Sequence, residues 1–157
     1  LGCCPSPFDS YLMTLGLETL SLRVRHEVES ARRLAEYCRN HPKVERVSFV
    51  GFESHPSYAN AKKYFRFGSS AVFTIELKGT LDSTVRFVES LNLAAHMVMI
   101  GDSVTVVTHP ASTTHKQLGD ADLAAAGVTP TMLRISVGLE NTDDLIDDFE
   151  QAFAHIG

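Results

Sequence analysis

The sequence predicts one α+β domain in which a four-stranded, mainly antiparallel sheet carries helices on one face and follows a long N-terminal helix. Three observations support this fold class: a long apolar stripe at helical spacing, strand candidates that alternate with helices, and a composition able to fill a core. The chain has 157 residues, of which 44% are hydrophobic, and this suits one domain over residues 1–157. The order of the elements alone would also allow parallel crossovers.

The long helix is predicted from an apolar stripe whose residues recur at intervals of three and four. The stripe consists of Leu17, Leu20, Val24, Val28, Ala31, Ala35 and Cys38. The helix ends near Asn40, because a residue that precedes a proline, as His41 does, is pushed out of the α conformation. A helix of about 28 residues would be about 42 Å long, more than the sheet requires. We therefore expect one of its ends to pack on something else.

Four strand candidates follow, and helices separate them. Apolar and polar residues alternate between residues 71 and 77, the period-two pattern of a strand with one buried face. The other strands are predicted at residues 44–52, 104–108 and 132–138. The helices are predicted at residues 57–65, from residue 81 after a Thr80 cap, at 115–126 and at 142–155. A sheet covered on one face leaves its other face open to a partner or a ligand.

Composition argues against several classes of function. The chain carries 14 Lys and Arg residues against 19 Asp and Glu residues, and this net charge of −5 argues against a non-specific surface for nucleic acid or an anionic membrane. No apolar run approaches the roughly 20 residues of a membrane-spanning helix. Three cysteines cannot all pair within one chain, so we expect a reducing, cytoplasmic environment. The start at Leu1 rather than Met suggests a fragment of a longer protein.

Arg134 is the most informative single residue. In the last predicted strand, Leu133 and Ile135 take one face, whereas Arg134 and Ser136 point from the other. An arginine fixed on a strand presents a planar set of donors that suits a carboxylate or a phosphate. Periodicity alone favours a solvated surface arginine, so both interpretations stand at this point.

Other polar residues give weaker signals. Alternation places Thr105 on the opposite face from both of its valine neighbours. Residues 108–115 are rich in hydroxyl groups, among them Ser112 and Thr113. Such a segment is typical of a capped helix start, which could also receive an anion.

No metal site and no catalytic motif is predicted. His109 and His115 are six residues apart, which matches no common zinc spacing. Four acidic residues late in the chain suit a solvated helix face: Asp143, Asp144, Asp147 and Asp148. The sequence contains neither a glycine-rich phosphate loop nor a Gly-x-Ser-x-Gly nucleophile motif.

Several segments occur together in an order that is recognisable. They are residues 6–12 (SPFDSYL), 16–23 (GLETLSLR), 54–58 (SHPSY), 61–64 (AKKY), 101–102 (GD) followed by Thr105, 109–115 (HPASTTH) and 133–140 (LRISVGLE). In this set the chain resembles the pyridoxal-phosphate (PLP) enzymes of cysteine and methionine metabolism, and within them the O-acetylhomoserine sulfhydrylases. The resemblance covers the C-terminal domain of that family.

The resemblance implies roles for particular residues. Arg134 would bind the α-carboxylate of the amino-acid substrate. Thr105 occupies the place of a Ser or Thr that hydrogen-bonds the cofactor-bearing lysine. Ser112 and Thr113 would border the active site, and the long helix would link the two domains.

The resemblance also implies what this chain lacks. None of its five lysines lies in a Ser-x-Thr-Lys-Tyr setting, so the Schiff-base lysine is expected in the N-terminal PLP domain. The full-length enzyme would bind PLP and form a homotetramer, and this chain alone is expected to bind no PLP and to be inactive.

Two departures from the family pattern leave the activity open. Residues 65–67 (FRF) stand where sulfhydrylases usually have Leu-Pro, and Val104 stands where many relatives are charged. Either departure is compatible with a cystathionine γ-synthase or a methionine or cystathionine γ-lyase. A non-catalytic binding module and a hydrolase that uses Ser112 and His115 are further alternatives from other classes.

Overall fold

The computed structural model describes residues 2–156, which form five strands and six α-helices. The strands are β1 (Val44–Ser48), β2 (Val72–Leu77), β3 (Ala95–His96), β4 (Val106–Thr108) and β5 (Met132–Ser136). The helices are α1 (Pro7–Glu18), α2 (Leu20–Asn40), α3 (Tyr58–Tyr64), α4 (Leu81–Glu89), α5 (Asp120–Ala125) and α6 (Thr142–Ala154). Among these residues, no helix combines the length and the apolar character needed to cross a membrane.

The sheet confirms the α+β prediction with one strand more than expected. Its strand order is β1-β2-β5-β4-β3, and every pair is antiparallel except β3 with β4. The unpredicted strand, β3, has only two residues, too few for any period-two pattern to show. β1 ends at Ser48 instead of residue 52, because the chain then turns so that Phe49 and Phe52 enter the core.

The single long helix that was predicted is two helices. Both Gly16 and Thr19 have low helix propensity, and α1 ends at Glu18. Arg23 fixes the junction, since its side chain donates to Thr19 Oγ1 at 2.5 Å and to the carbonyl of Gly16 at 2.9 Å. No residue of α1 is buried, and the buried stripe of α2 begins at Glu27. The expectation that this end of the helix packs on something else stays a prediction.

The helix predicted at residues 115–126 is mostly wrong. A 3₁₀ turn (Pro110–Ser112) and further turns precede α5, which occupies only Asp120–Ala125. Local bonds replace helical ones here: the hydroxyl of Thr113 and the N–H of His115 bond back to residues 109 and 110. Gly127 ends the element as expected, with a φ of +70° that favours glycine.

Alternate residues of the strands build the core against α2, α4 and α6. The strands contribute Phe73, Ile75, Leu77, Leu133 and Ile135, and the helices contribute Leu34, Phe87, Phe149 and Phe153. Thr80 caps α4 as predicted, and it does so in a capping box with Ser83. The residues between the buried positions of each strand therefore point to the opposite, open face of the sheet.

His41 gives the fold an expected dependence on pH. Its ring stacks on Phe153 with centroids 3.9 Å apart, its Nδ1 accepts the N–H of Lys43 at 3.3 Å, and its Nε2 lies 3.4 Å from a Glu150 carboxylate oxygen. Burial lowers the pKa of His41, and so does Lys43, against the opposing effect of Glu150. The unfolded chain therefore takes up a proton before the folded one, and stability falls as the pH drops below about 6.5.

Chemical denaturation between pH 5 and pH 8 measures this effect. His41→Phe keeps the stacked ring but removes the titrating group, so the variant should lose less stability than the wild type between pH 7.5 and pH 5.5. Equal losses in the two proteins would show that His41 does not titrate differently in the folded state.

Candidate active site

A row of polar side chains crosses the open face of the sheet. The strand registers align Ser48 with Thr74, Thr74 with Arg134, and Arg134 with Thr108. Directly opposite residues of neighbouring strands point to the same side of a sheet. The structure thus places Arg134 at the centre of a polar row, on the face that the core helices do not cover.

Residues 97–105, which we call the covering loop, connect β3 to β4 and lie over part of this face. Three side chains of the face bond to it. The Thr108 hydroxyl donates to the carbonyl of Met97 at 2.6 Å, Arg134 Nη2 donates to the carbonyl of Met99 at 3.3 Å, and Ser136 Oγ accepts the N–H of Gly101 at 3.1 Å. The loop consequently lies directly beside the guanidinium group.

Arg134 is a cation with unused hydrogen-bonding capacity. Its Nη2 contacts Thr108 Oγ1 at 3.2 Å in addition to Met99 O, whereas its buried Nε has no hydrogen-bond partner among the described residues. No ion pair involves Arg134 within residues 2–156. A guanidinium held by neutral oxygens and lacking a counter-ion suits a carboxylate or phosphate ligand. This geometry favours a ligand site over the solvated-arginine interpretation.

Thr105 lies in a different environment from the one its alternation suggested. It is fully buried, as is Val106 beside it. Its N–H and its hydroxyl donate to the two carboxylate oxygens of Glu140 at 2.6 and 2.7 Å, and the hydroxyl accepts the N–H of Gly138 at 2.9 Å. A contact from Thr105 to a lysine stays a prediction, and it would have to coexist with or replace the bond to Glu140.

Ser112 and Thr113 lie in the turn that follows β4, and His109 organises it. His109 Nε2 is 2.9 Å from the carbonyl of Pro130, which can only accept, so Nε2 carries the proton and Nδ1 accepts the Ser112 hydroxyl at 2.8 Å. Thr113 donates to the carbonyl of His109 at 2.7 Å. Their role at the border of the active site stays a prediction.

The described residues do not form the arrangement that the hydrolase alternative requires. Ser112 pairs with the buried His109, while His115 Nδ1 lies 2.8 Å from the hydroxyl of Thr114. The pairing of Ser112 with His115, on which that alternative depended, is not present in the described structure.

The sequence did not reveal three participants of this site. Met99 acts through its backbone carbonyl, Thr108 through strand register, and Glu140 through a contact 35 residues away in the chain. The folded chain brings these residues together, so no fixed spacing in the sequence could have indicated them. Glu140 was present in a recognised segment, but nothing in the sequence linked it to Thr105.

A cleft of about 790 Å³ lies elsewhere, between α2 and the segment of residues 50–69. Charged residues of both signs line it, including Glu29, Arg32, Glu36 and Lys62. Ligand pockets are typically lined by apolar residues with a few polar groups. None of the predicted site residues borders this cleft, so the open face around Arg134 remains the candidate site.

Comparison with known proteins identifies the family to which this chain belongs. The family model of the Cys/Met metabolism PLP-dependent enzymes matches residues 1–154, and the chain belongs to this family. The resemblance inferred from the sequence segments is therefore confirmed.

Individual relatives narrow the comparison. The chain is 46% identical over 152 residues to a homocysteine synthase of Schizosaccharomyces pombe, covering 97% of this chain and 35% of the relative. It is 43% identical over 153 residues to O-acetyl-L-homoserine sulfhydrylase 1 of Thermus thermophilus, covering 98% and 36%. The chain thus spans about a third of the length of these relatives.

A solved structure shares the fold. It is a putative O-acetylhomoserine (thiol)-lyase from Campylobacter jejuni that contains N′-pyridoxyl-lysine-5′-monophosphate. The TM-score is 0.88 at 35% identity, and the match covers 98% of this chain and 36% of the other.

Proposed function

We propose that this chain is the substrate-carboxylate-binding domain of a PLP-dependent O-acetylhomoserine sulfhydrylase, which replaces acetate at Cγ by sulfide and forms homocysteine. One observation carries the proposal: Arg134, a guanidinium that forms no ion pair within residues 2–156, stands on the open face of the sheet in a chain of this enzyme family. The names of the relatives support the reaction class.

Arg134 would fix the orientation of the amino-acid substrate. Its guanidinium is itself oriented from two sides, by the hydroxyl of Thr108 and the carbonyl of Met99. Holding a substrate in one geometry before reaction lowers the barrier, because the entropy of alignment is lost on binding and not during the chemical step. The covering loop also contacts the group through the carbonyl of Met99.

The residues fit the holding of an amino acid beside PLP. When bound, PLP supplies the electron sink for proton removal and for departure of the leaving group. In this chain Arg134 suits the substrate carboxylate, whereas Lys43 is occupied by the carbonyls at the end of α6. We infer that the Schiff-base lysine comes from an N-terminal PLP domain.

The remaining expectations form part of the same proposal. Residues 1–157 are one domain, inactive and without PLP on their own, within a cytoplasmic homotetramer. The departures at residues 65–67 and at Val104 keep cystathionine γ-synthase and the γ-lyases as sister activities.

Assays of the complete gene product distinguish these activities. Purified with PLP, it should release homocysteine from O-acetylhomoserine and sulfide, while the 157-residue chain alone should show no turnover. Cystathionine formation with cysteine, or 2-oxobutyrate release from methionine without added sulfide, would assign the sister reactions. No turnover in any assay by a PLP-loaded protein would contradict the proposal.

A further inference from the structure

The covering loop is anchored at the point where β4 and β5 stop pairing. The ladder ends at the pair of Val106 with Ser136. Beyond it, Leu139 N–H donates to the carbonyl of Ser103 at 2.8 Å, and Thr105 gives both its N–H and its hydroxyl to the Glu140 carboxylate. Beyond the last ladder pair, hydrogen bonds to the Glu140 side chain therefore help to connect the two segments.

Gly138 lets the two backbones touch at this anchor. A Cβ atom on Gly138 would lie 2.4 Å from the carbonyl oxygen of Ser103 and 2.6 Å from the nitrogen of Thr105. No L side chain fits at these distances. The anchor is therefore closely packed as well as hydrogen-bonded, and the loop has little freedom there.

The other part of the loop meets Arg134. Met99 O accepts from Arg134 Nη2, and Gly101 N–H donates to Ser136, two residues along the same strand. Only a few residues separate this contact from Thr105. A displacement at the anchor would therefore move the carbonyl that holds the guanidinium.

Binding of a carboxylate would depend on Nη2. A guanidinium offers two bidentate edges, Nε with Nη2 and Nη1 with Nη2, and both include Nη2. In Arg134 that nitrogen already contacts Thr108 and Met99. A carboxylate bound bidentately at either edge must share it with them, and the 3.3 Å bond to Met99 O is the longer of the two.

We propose that Glu140 is a positioning residue for Arg134: through Thr105 it fixes the covering loop, and the loop holds the guanidinium ready for a substrate carboxylate. This inference rests on the proposed role of Arg134. It assigns Thr105 an indirect part in substrate binding through Glu140. Loosening the anchor would leave the guanidinium to be ordered when the substrate binds, which weakens binding.

Steady-state kinetics of the PLP-loaded complete enzyme test the proposal. Glu140→Gln places an amide N–H₂ against a Thr105 donor and should raise KM for the amino acid about three- to tenfold, as expected for one lost hydrogen bond, with kcat within about twofold. Thr105→Val removes the hydroxyl and should also raise KM, but its kcat does not bear on the test, because Thr105 is also expected to contact the cofactor-bearing lysine. Thr105→Ser retains the hydroxyl and should restore KM.

A control and a second measurement make the outcome decisive. Lys43→Met removes the bonds to Phe153 O and Ile156 O on the core side of the sheet, so it lowers stability without touching the loop. Equal KM increases in Lys43→Met and Glu140→Gln, or a loss of kcat at constant KM, would overturn the positioning role.

Hydrogen exchange of the Gly101 and Thr105 amides separates this inference from the proposed function. Faster exchange in Glu140→Gln is expected whether or not Arg134 binds substrate, and unchanged exchange would refute the anchor. Faster exchange together with an Arg134→Ala variant of normal KM would mean that the proposed function has failed, and the link to substrate binding would fail with it.

Discussion

Arg134→Ala in the complete enzyme is expected to raise KM for the amino-acid substrate by about 10- to 100-fold, because charge-assisted hydrogen bonds contribute about 1.5–3 kcal/mol. The guanidinium has no ion pair within the described chain and one buried nitrogen without a partner. Removing this side chain should therefore lower the stability of the protein only slightly and weaken substrate binding strongly. Steady-state kinetics with O-acetylhomoserine varied at saturating sulfide measure this KM.

Two further variants show whether shape or charge matters. Arg134→Lys keeps the charge but lacks the planar fork, so its KM should lie between those of the wild type and Arg134→Ala. Arg46 is the control, since it also projects from the sheet but forms a surface ion pair with Glu76. Arg46→Ala should leave KM unchanged. An unchanged KM in Arg134→Ala would remove Arg134 from the site.

Most of the fold follows from local patterns in the sequence. The period-two alternation of β2, the Thr80 cap of α4 and the apolar stripe of α6 each depend on residues within a few positions of one another. One error has the opposite origin, since β3 is defined by its pairing with β4. The break at Thr19 is local, because Arg23 bonds to a residue one helical turn away, but an apolar stripe carries no signal for that bond.

The residues of the candidate site also divide into those that local sequence predicts and those that depend on distant contacts. Arg134 could be predicted because its neighbours on the strand are apolar and point to the core. The contacts of Thr105 could not be predicted, because Gly138 and Glu140 are more than 30 residues away and reach it only in the folded chain. Alternation also fails at Thr105, since Thr105 and the neighbouring Val106 are both buried.

Asp148 shows how a local pattern can mislead. The cluster of four aspartates predicted a solvated face of α6, but Asp148 is buried and its carboxylate points inward. It accepts the N–H groups of Asn92, Leu93 and Ala94 at 2.8, 3.0 and 3.0 Å. One side chain thus satisfies three consecutive backbone donors where the chain leaves α4 for β3.

Asp148→Ala is therefore expected to lower the free energy of unfolding by about 1–3 kcal/mol, since the bond to the Ala94 N–H is the buried one of the three and a buried donor left without a partner costs about that much. Asp148→Asn has the same shape and should be nearly as destabilising. Its amide would present N–H₂ where the carboxylate now accepts. Urea denaturation of the variants at pH 7 measures both values.

Asp147→Asn is the matched control, because Asp147 is exposed on the adjacent position of the same helix. It should change stability by no more than about 0.5 kcal/mol. A similarly small effect of Asp148→Asn would show that water satisfies the three N–H groups. A large effect would mean that the Asp148 carboxylate holds the chain just before the covering loop. The second carboxylate, Glu140 at the end of the loop, is tested separately by the KM of Glu140→Gln.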